Sequence, residues 1–165
     1  GRAGNLKGYK THLYEGGIRS PLIVWGPGFI KESVKGTRNR ESVFSAIDLP
    51  PSLLEFTDTK PPENVRFDGE NVLQTLLGES HSSRQSPIFF SRPPDRKNFY
   101  GFENLPDLAM REGDWKLLCD YDGGRPELYN LIADAGENKN LVKKHPEKAL
   151  EMTQKVVEWY HSMPD

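Results

Sequence analysis

The feature that most restricts this chain is a pair of adjacent glycines set between opposite charges, Glu15-Gly16-Gly17-Ile18-Arg19. Neighbouring glycines let the backbone enter φ > 0, or come closer to another group than a Cβ permits, at an entropic cost other residues avoid. Lys10 and His12 stand just before the pair. Pro21 follows it and leads into the apolar run Leu22-Ile23-Val24-Trp25, closed by Gly26-Pro27-Gly28. A short apolar run bounded by turn residues reads as a strand buried on both faces. The expectation is a polar loop that carries charge to a site, anchored to the core by that strand. Glu15 and Arg19 read as an ion pair bracing the loop, with Arg19 as an oxyanion ligand the alternative. Lys7 is a second, weaker candidate cation.

Composition decides whether a core is feasible. The chain has 165 residues, 35% hydrophobic and 28% charged, yet eight Phe, six Tyr and three Trp supply bulky core material. That excludes disorder and leaves a lean core, as expected if some apolar surface belongs against a further segment. The formal charge of -2 gives no reason to expect nucleic acid or an anionic membrane as a partner. No run of about 20 apolar residues is present. Cys119 is the only cysteine and sits in Trp-Lys-Leu-Leu-Cys-Asp, which suits a small buried hydrophobe better than a reactive thiol. No Cys/His set has zinc spacing, and no metal ligands are assigned within the chain.

Along the chain, Ser42 to Phe56 carries an interrupted helical pattern in which Pro50 and Pro51 imply two short helices meeting at the prolines. Val72 to Leu77 reads as a helical turn stopped by Gly78. The Ser-rich stretch Glu79 to Gln85 reads as a linker, dividing the chain into residues 1–85 and 86–165. Pro87 to Phe90 reads as a strand. Leu108 to Arg111 and Trp115 to Cys119 flank Glu112-Gly113-Asp114, a hairpin signal, and Glu127 to Leu131 reads as a further strand. His145 to Met163 is the clearest helix, with Ala149, Thr153, Val156, Val157 and Tyr160 along one face. The fold class expected is α/β, and α+β in the second half: the end of an α/β domain, then a small antiparallel sheet packed against a C-terminal helix.

Lys10, Glu15, Gly16, Gly17, Arg19, Pro21, Pro27 and Gly28 together resemble a signature of the formylglycine-dependent sulfatases, within the wider alkaline-phosphatase group. The likeness continues in order. It runs through Asp48-Leu49-Pro50, Phe67-Asp68-Gly69 with Leu77-Gly78, the hairpin Arg111 to Lys116, and Glu127-Leu128-Tyr129 with Asp134, Glu137, Asn140 and Leu141. It covers nearly the whole chain and corresponds to that family's C-terminal third.

The resemblance implies hydrolysis of sulfate esters. It makes Lys10 a sulfate contact, a point charge suited to a tetrahedral anion. His12 is then a proton donor to the leaving alcohol or a supporting residue behind it. The polar-aromatic loop with Arg92, Asp95, Arg96 and Tyr100 is a candidate for substrate selection, or a cover over an edge strand. Sulfated small molecules or carbohydrates are the implied substrates, and the N-terminal part of the same protein an implied partner. Calcium and a formylglycine nucleophile are implied for the full-length enzyme, with their residues upstream of this chain. No Cys/Ser-x-Pro-x-Arg pentapeptide occurs here, so this chain by itself is expected to be inactive. Two alternatives stand beside this reading: a phosphodiesterase or phosphonate hydrolase of the same group, and a non-catalytic interaction domain.

Overall fold

A computed structural model describes residues 3–93 and 104–164. Asp95, Arg96 and Tyr100 of the expected substrate loop lie outside the described residues. The chain forms two compact units, one of Gly1–Ser20 with Pro87–Asp165 and one of Pro21–Ser86. The chain leaves the second unit between Ser86 and Pro87. Residues 1–20, however, group with the second half rather than with residues 21–85.

In the first unit, four strands pair antiparallel in chain order: β1 (Ile88–Ser91), β2 (Leu108–Glu112), β3 (Trp115–Cys119) and β4 (Glu127–Asn130). The β2–β3 register runs from Leu108 opposite Cys119 to Glu112 opposite Trp115, and Gly113 takes φ 56° in the turn. Side chains alternate between faces with period two. Leu108, Met110, Leu117, Cys119 and Leu128 pack with Ala149, Met152 and Val156 of a long C-terminal helix, Pro146–Ser162. The opposite face carries Ala109, Leu118 and Tyr129, covered by Leu13 and Tyr14. Each fully buried Leu, Met or Val contributes roughly 1.5–3 kcal/mol by leaving water, so both coats are worth many times thermal energy.

The C-terminal helix begins with Pro146 in its first turn, where the missing N–H costs nothing. Its most buried stripe is Ala149, Met152 and Val156, with Val157 and Tyr160 at the flank. Met152 was not on the expected face, and it is fully buried. Lys155 pairs with Glu151 one turn back at 2.8 Å and reaches Glu112 at 3.0 Å.

The second unit holds three short helical pieces relevant here. A 3₁₀ turn (Ala46–Asp48) runs directly into an α-helix (Leu49–Phe56) at Pro50-Pro51, and a one-turn helix (Leu73–Leu76) ends at Gly78, φ 74°. Buried Asp48 organises them. Its carboxylate accepts the Glu70 N–H at 2.7 Å, the Ser45 N–H at 2.7 Å and the Arg84 guanidinium at 2.7 Å. Arg84 is itself buried, so the stretch read as a linker is pinned at that residue. Gly69 is needed for close approach, because a Cβ there would lie 1.8 Å from the Ile47 carbonyl oxygen.

Leu22 to Trp25, expected as a buried strand, has no regular structure; Ile23 is 88% and Trp25 82% exposed. A strand exists only when a neighbour accepts its ladder of hydrogen bonds, and no strand occurs in this unit among the described residues. The apolar run supplies the propensity without the partner.

Candidate functional site

Residues 7–19 form a short platform on the sheet unit. Glu15–Ile18 is a single helical turn rather than an open loop. The two glycines in it are required for contact, not for φ > 0. A Cβ on Gly16 would lie 2.4 Å from the Gly8 carbonyl oxygen, and one on Gly17 would lie 2.0 Å from that of His12. The Gly16 N–H donates to the Lys7 carbonyl at 2.8 Å. The chain before the helical turn is thus folded flat against its glycine face.

On that face stands a tight turn, closed by the His12 N–H donating to the Tyr9 carbonyl at 2.9 Å. Lys10 and Thr11 are its two central residues. Lys10 is exposed and makes no ion pair or side-chain hydrogen bond among the described residues. The His12 ring sits 4.0 Å from the Tyr9 ring, centroid to centroid. Burial lowers the His12 pKa below its ordinary value, and the charge of Arg92 lowers it further. The imidazole is therefore biased towards its neutral form.

Beneath the platform lies a buried charge network. Lys116, wholly buried on β3, places its Nζ 3.0 Å from Glu15 Oε1 and 2.8 Å from Glu137 Oε1. Glu137 also accepts the Glu15 N–H at 2.7 Å, and Arg111 on β2 lies 3.8 Å from Glu15. Two carboxylates and two cations balance. Burial raises the Glu137 pKa, and Lys116 opposes that shift. A second cluster ties the preceding residues: Glu127 accepts from Tyr14 at 2.9 Å, Tyr129 at 2.5 Å and Lys7 at 3.2 Å. Lys7 Nζ also lies 3.9 Å from the Tyr14 ring centroid. Lys7 is committed to structure.

The expected Glu15–Arg19 ion pair does not form. Glu15 turns inward to Lys116, because the helical turn directs its side chain at the sheet, while Arg19 is exposed and makes no ion pair among the described residues. Arg92 is 7% exposed, and its guanidinium donates to Asp107 at 2.9 Å and to the Leu105 and Pro106 carbonyls at 3.4 Å. It knits the ends of the 92–107 segment together. Lys10, His12, Glu15, Gly16 and Gly17 are brought together; Arg19 lies at the edge.

Sequence reasoning did not assign Lys116, Arg111, Glu137 or Glu127 to the site. A lysine amid the apolar run Trp115 to Cys119 was the available signal, since a charge on a core strand requires a buried counter-charge. Among the described residues no group of three or more His, Cys, Asp and Glu is placed to hold a metal ion.

Comparison with known proteins adds four findings. Residues 8–161 match the family model described as N-sulphoglucosamine sulphohydrolase, C-terminal. The chain is 30% identical to arylsulfatase K of Mus musculus over 151 residues, covering 90% of this chain and 26% of that protein. It is likewise 30% identical to an N-acetylgalactosamine-6-O-sulfatase of Bacteroides thetaiotaomicron, covering 92% of this chain and 29% of that protein. A solved structure from work on glycosaminoglycan metabolism by that bacterium superimposes with a TM-score of 0.73 at 28% identity, covering 94% of this chain and 32% of the other. The chain spans about a quarter to a third of the length of these relatives.

Proposed function

Because the chain belongs to the N-sulphoglucosamine sulphohydrolase C-terminal family of sulfatases, we propose that the protein containing it hydrolyses sulfate esters, with sulfated carbohydrate as the substrate class. The observation that carries this reading is Lys10, an exposed cation at the apex of a tight turn that rests on Gly17 and is braced by buried ion pairs. Hydrolysis at sulfur gathers negative charge on the ester oxygens, and a fixed cation aimed there lowers the barrier without reorganising. Lys10 is assigned that role. His12, held towards neutrality, is assigned hydrogen bonding or proton transfer at the leaving oxygen rather than charge. One relative is by name an N-acetylgalactosamine-6-O-sulfatase, which supports the carbohydrate assignment. Arg96, Asp95 and Tyr100 remain candidates for reading the sugar.

The described residues offer no site for calcium, and the sequence offers no precursor for a formylglycine nucleophile. No acidic cluster suitable for a hard cation occurs among the described residues, and the nucleophile pentapeptide is not in the sequence. Both belong, on this reading, to the remainder of the full-length protein. The exposed apolar run Leu22 to Trp25 supports that remainder as an intramolecular partner, since exposed apolar surface of this kind marks a contact.

The test is Lys10→Ala in the full-length enzyme, assayed on 4-nitrophenyl sulfate and on sulfated amino sugars. A loss of about 10²–10³ in turnover is expected for one transition-state contact. An unchanged rate removes Lys10 from the site, and a preference for phosphate diesters over sulfates replaces the proposed reaction by phosphodiester hydrolysis.

A further inference from the structure

The turn that presents Lys10 has a strained backbone that no contact of Thr11 itself offsets. Thr11 takes φ 85°, a conformation costly for a β-branched side chain. With the His12 N–H bonded back to the Tyr9 carbonyl, Thr11 stands at the third position of a turn of the type II class, where Gly or Asn is favoured because φ must be positive. Thr11 is exposed, and among the described residues its hydroxyl makes no hydrogen bond. No gain at Thr11 itself offsets the strain. The surroundings enforce it: the Tyr9 and His12 carbonyl oxygens that bracket the turn lie 2.6 and 2.0 Å from where a Gly17 Cβ would be. The turn is pressed onto the helical turn Glu15–Ile18, which Lys116 and Glu137 hold from below through Glu15.

We infer that Thr11 is a positioning residue for Lys10: its left-handed backbone, and not its side chain, sets the direction in which Lys10 leaves the glycine platform. This rests on the assignment of Lys10 to the sulfate. A proline at residue 11 fixes φ near −65° and turns Lys10 away, whereas glycine adopts φ 85° freely.

The test compares Thr11→Pro and Thr11→Gly with Lys10→Ala in the full-length sulfatase, measuring turnover of 4-nitrophenyl sulfate and the thermal midpoint. Thr11→Pro is expected to lose on the order of 10²-fold in kcat, as for a misplaced catalytic group, with a lowered midpoint because proline cannot hold φ 85° in the packed turn, and with the rate loss persisting at assay temperatures well below that midpoint. Thr11→Gly is expected to keep kcat within about threefold, with an unchanged or higher midpoint as strain is released. A Thr11→Pro enzyme of normal rate overturns the inference. So does a Thr11→Gly enzyme as slow as Thr11→Pro, which would place the effect in the side chain, and so does a Thr11→Pro rate loss that vanishes when the enzyme is assayed well below its lowered midpoint. If Lys10→Ala is itself silent, the role of Lys10 fails first and the inference falls with it; if Lys10→Ala is slow and Thr11→Pro is not, only the inference fails.

Discussion

Replacing Lys116 by methionine tests whether the buried network carries the platform. The substitution keeps most of the side-chain length and removes the charge. Among the described residues, Glu15 and Glu137 then face each other with only Arg111 as a cation, 3.8 Å from Glu15, and Glu137 is left with no basic partner. Breaking a buried pair by removing one member costs about 3–5 kcal/mol, because the surviving charge stays buried and uncompensated. With a urea m-value of about 2 kcal/mol per M, that is a midpoint shift of roughly 2 M. The measurement is urea unfolding of the protein at pH 7.5, followed by far-UV circular dichroism. The pH dependence adds a second check. The Glu137 carboxyl has a folded pKa above its ordinary 4.5 because burial outweighs the attraction of Lys116, so protonating it adds stability to the folded state. That contribution is complete below about 4.5 and is lost as pH rises through the raised folded value. Without Lys116 the carboxyl is raised further, so the deficit relative to wild type should shrink towards pH 4.5 and grow towards pH 7.5. Adding Glu137→Gln restores charge balance while keeping an acceptor for the Glu15 N–H, and should recover part of the loss. A Lys116→Met penalty under about 1 kcal/mol, or one that is flat with pH and additive with Glu137→Gln, would refute the network as described.

Two further outcomes follow from the packing. Gly69→Ala places a methyl 1.8 Å from the Ile47 carbonyl oxygen, a backbone atom that cannot rotate away. It should cost about 3 kcal/mol, the upper end of overpacking penalties, and thermal unfolding reads it. Cys119 is wholly buried, and burial, reinforced by the charge of Asp120, pushes its thiol up to about 12. A maleimide at pH 8 should leave it unlabelled in the native protein and label it in denaturant; native labelling at the denatured rate would contradict the packing.

The second half of the fold was legible because its signals are local. The hairpin at Gly113, the strands on either side and the helix from Pro146 each follow from residues within a few positions of one another. Leu22 to Trp25 failed for a physical reason: its residue types favour a strand, but pairing depends on a neighbour that the run itself does not specify. Lys10 and the glycine pair were legible as a charged loop that needs close approach. The brace was not. Lys116 meets Glu15 across 101 positions and Glu137 meets it across 122, and no periodicity spans such distances.

What the amino-acid sequence determined by itself is therefore the list of parts: a loop cation, two residues that must lack a Cβ, a sheet with a helix, and motif charges in a recognisable order. Tertiary structure decided which charges neutralise each other. A buried carboxylate takes whichever cation the fold brings within reach, because desolvation makes an unpaired charge intolerable. Glu15, four positions from Arg19 in the chain, pairs instead with Lys116, since its helical turn faces the sheet. That choice leaves Arg19 exposed at the margin and holds the turn beneath Lys10 in place.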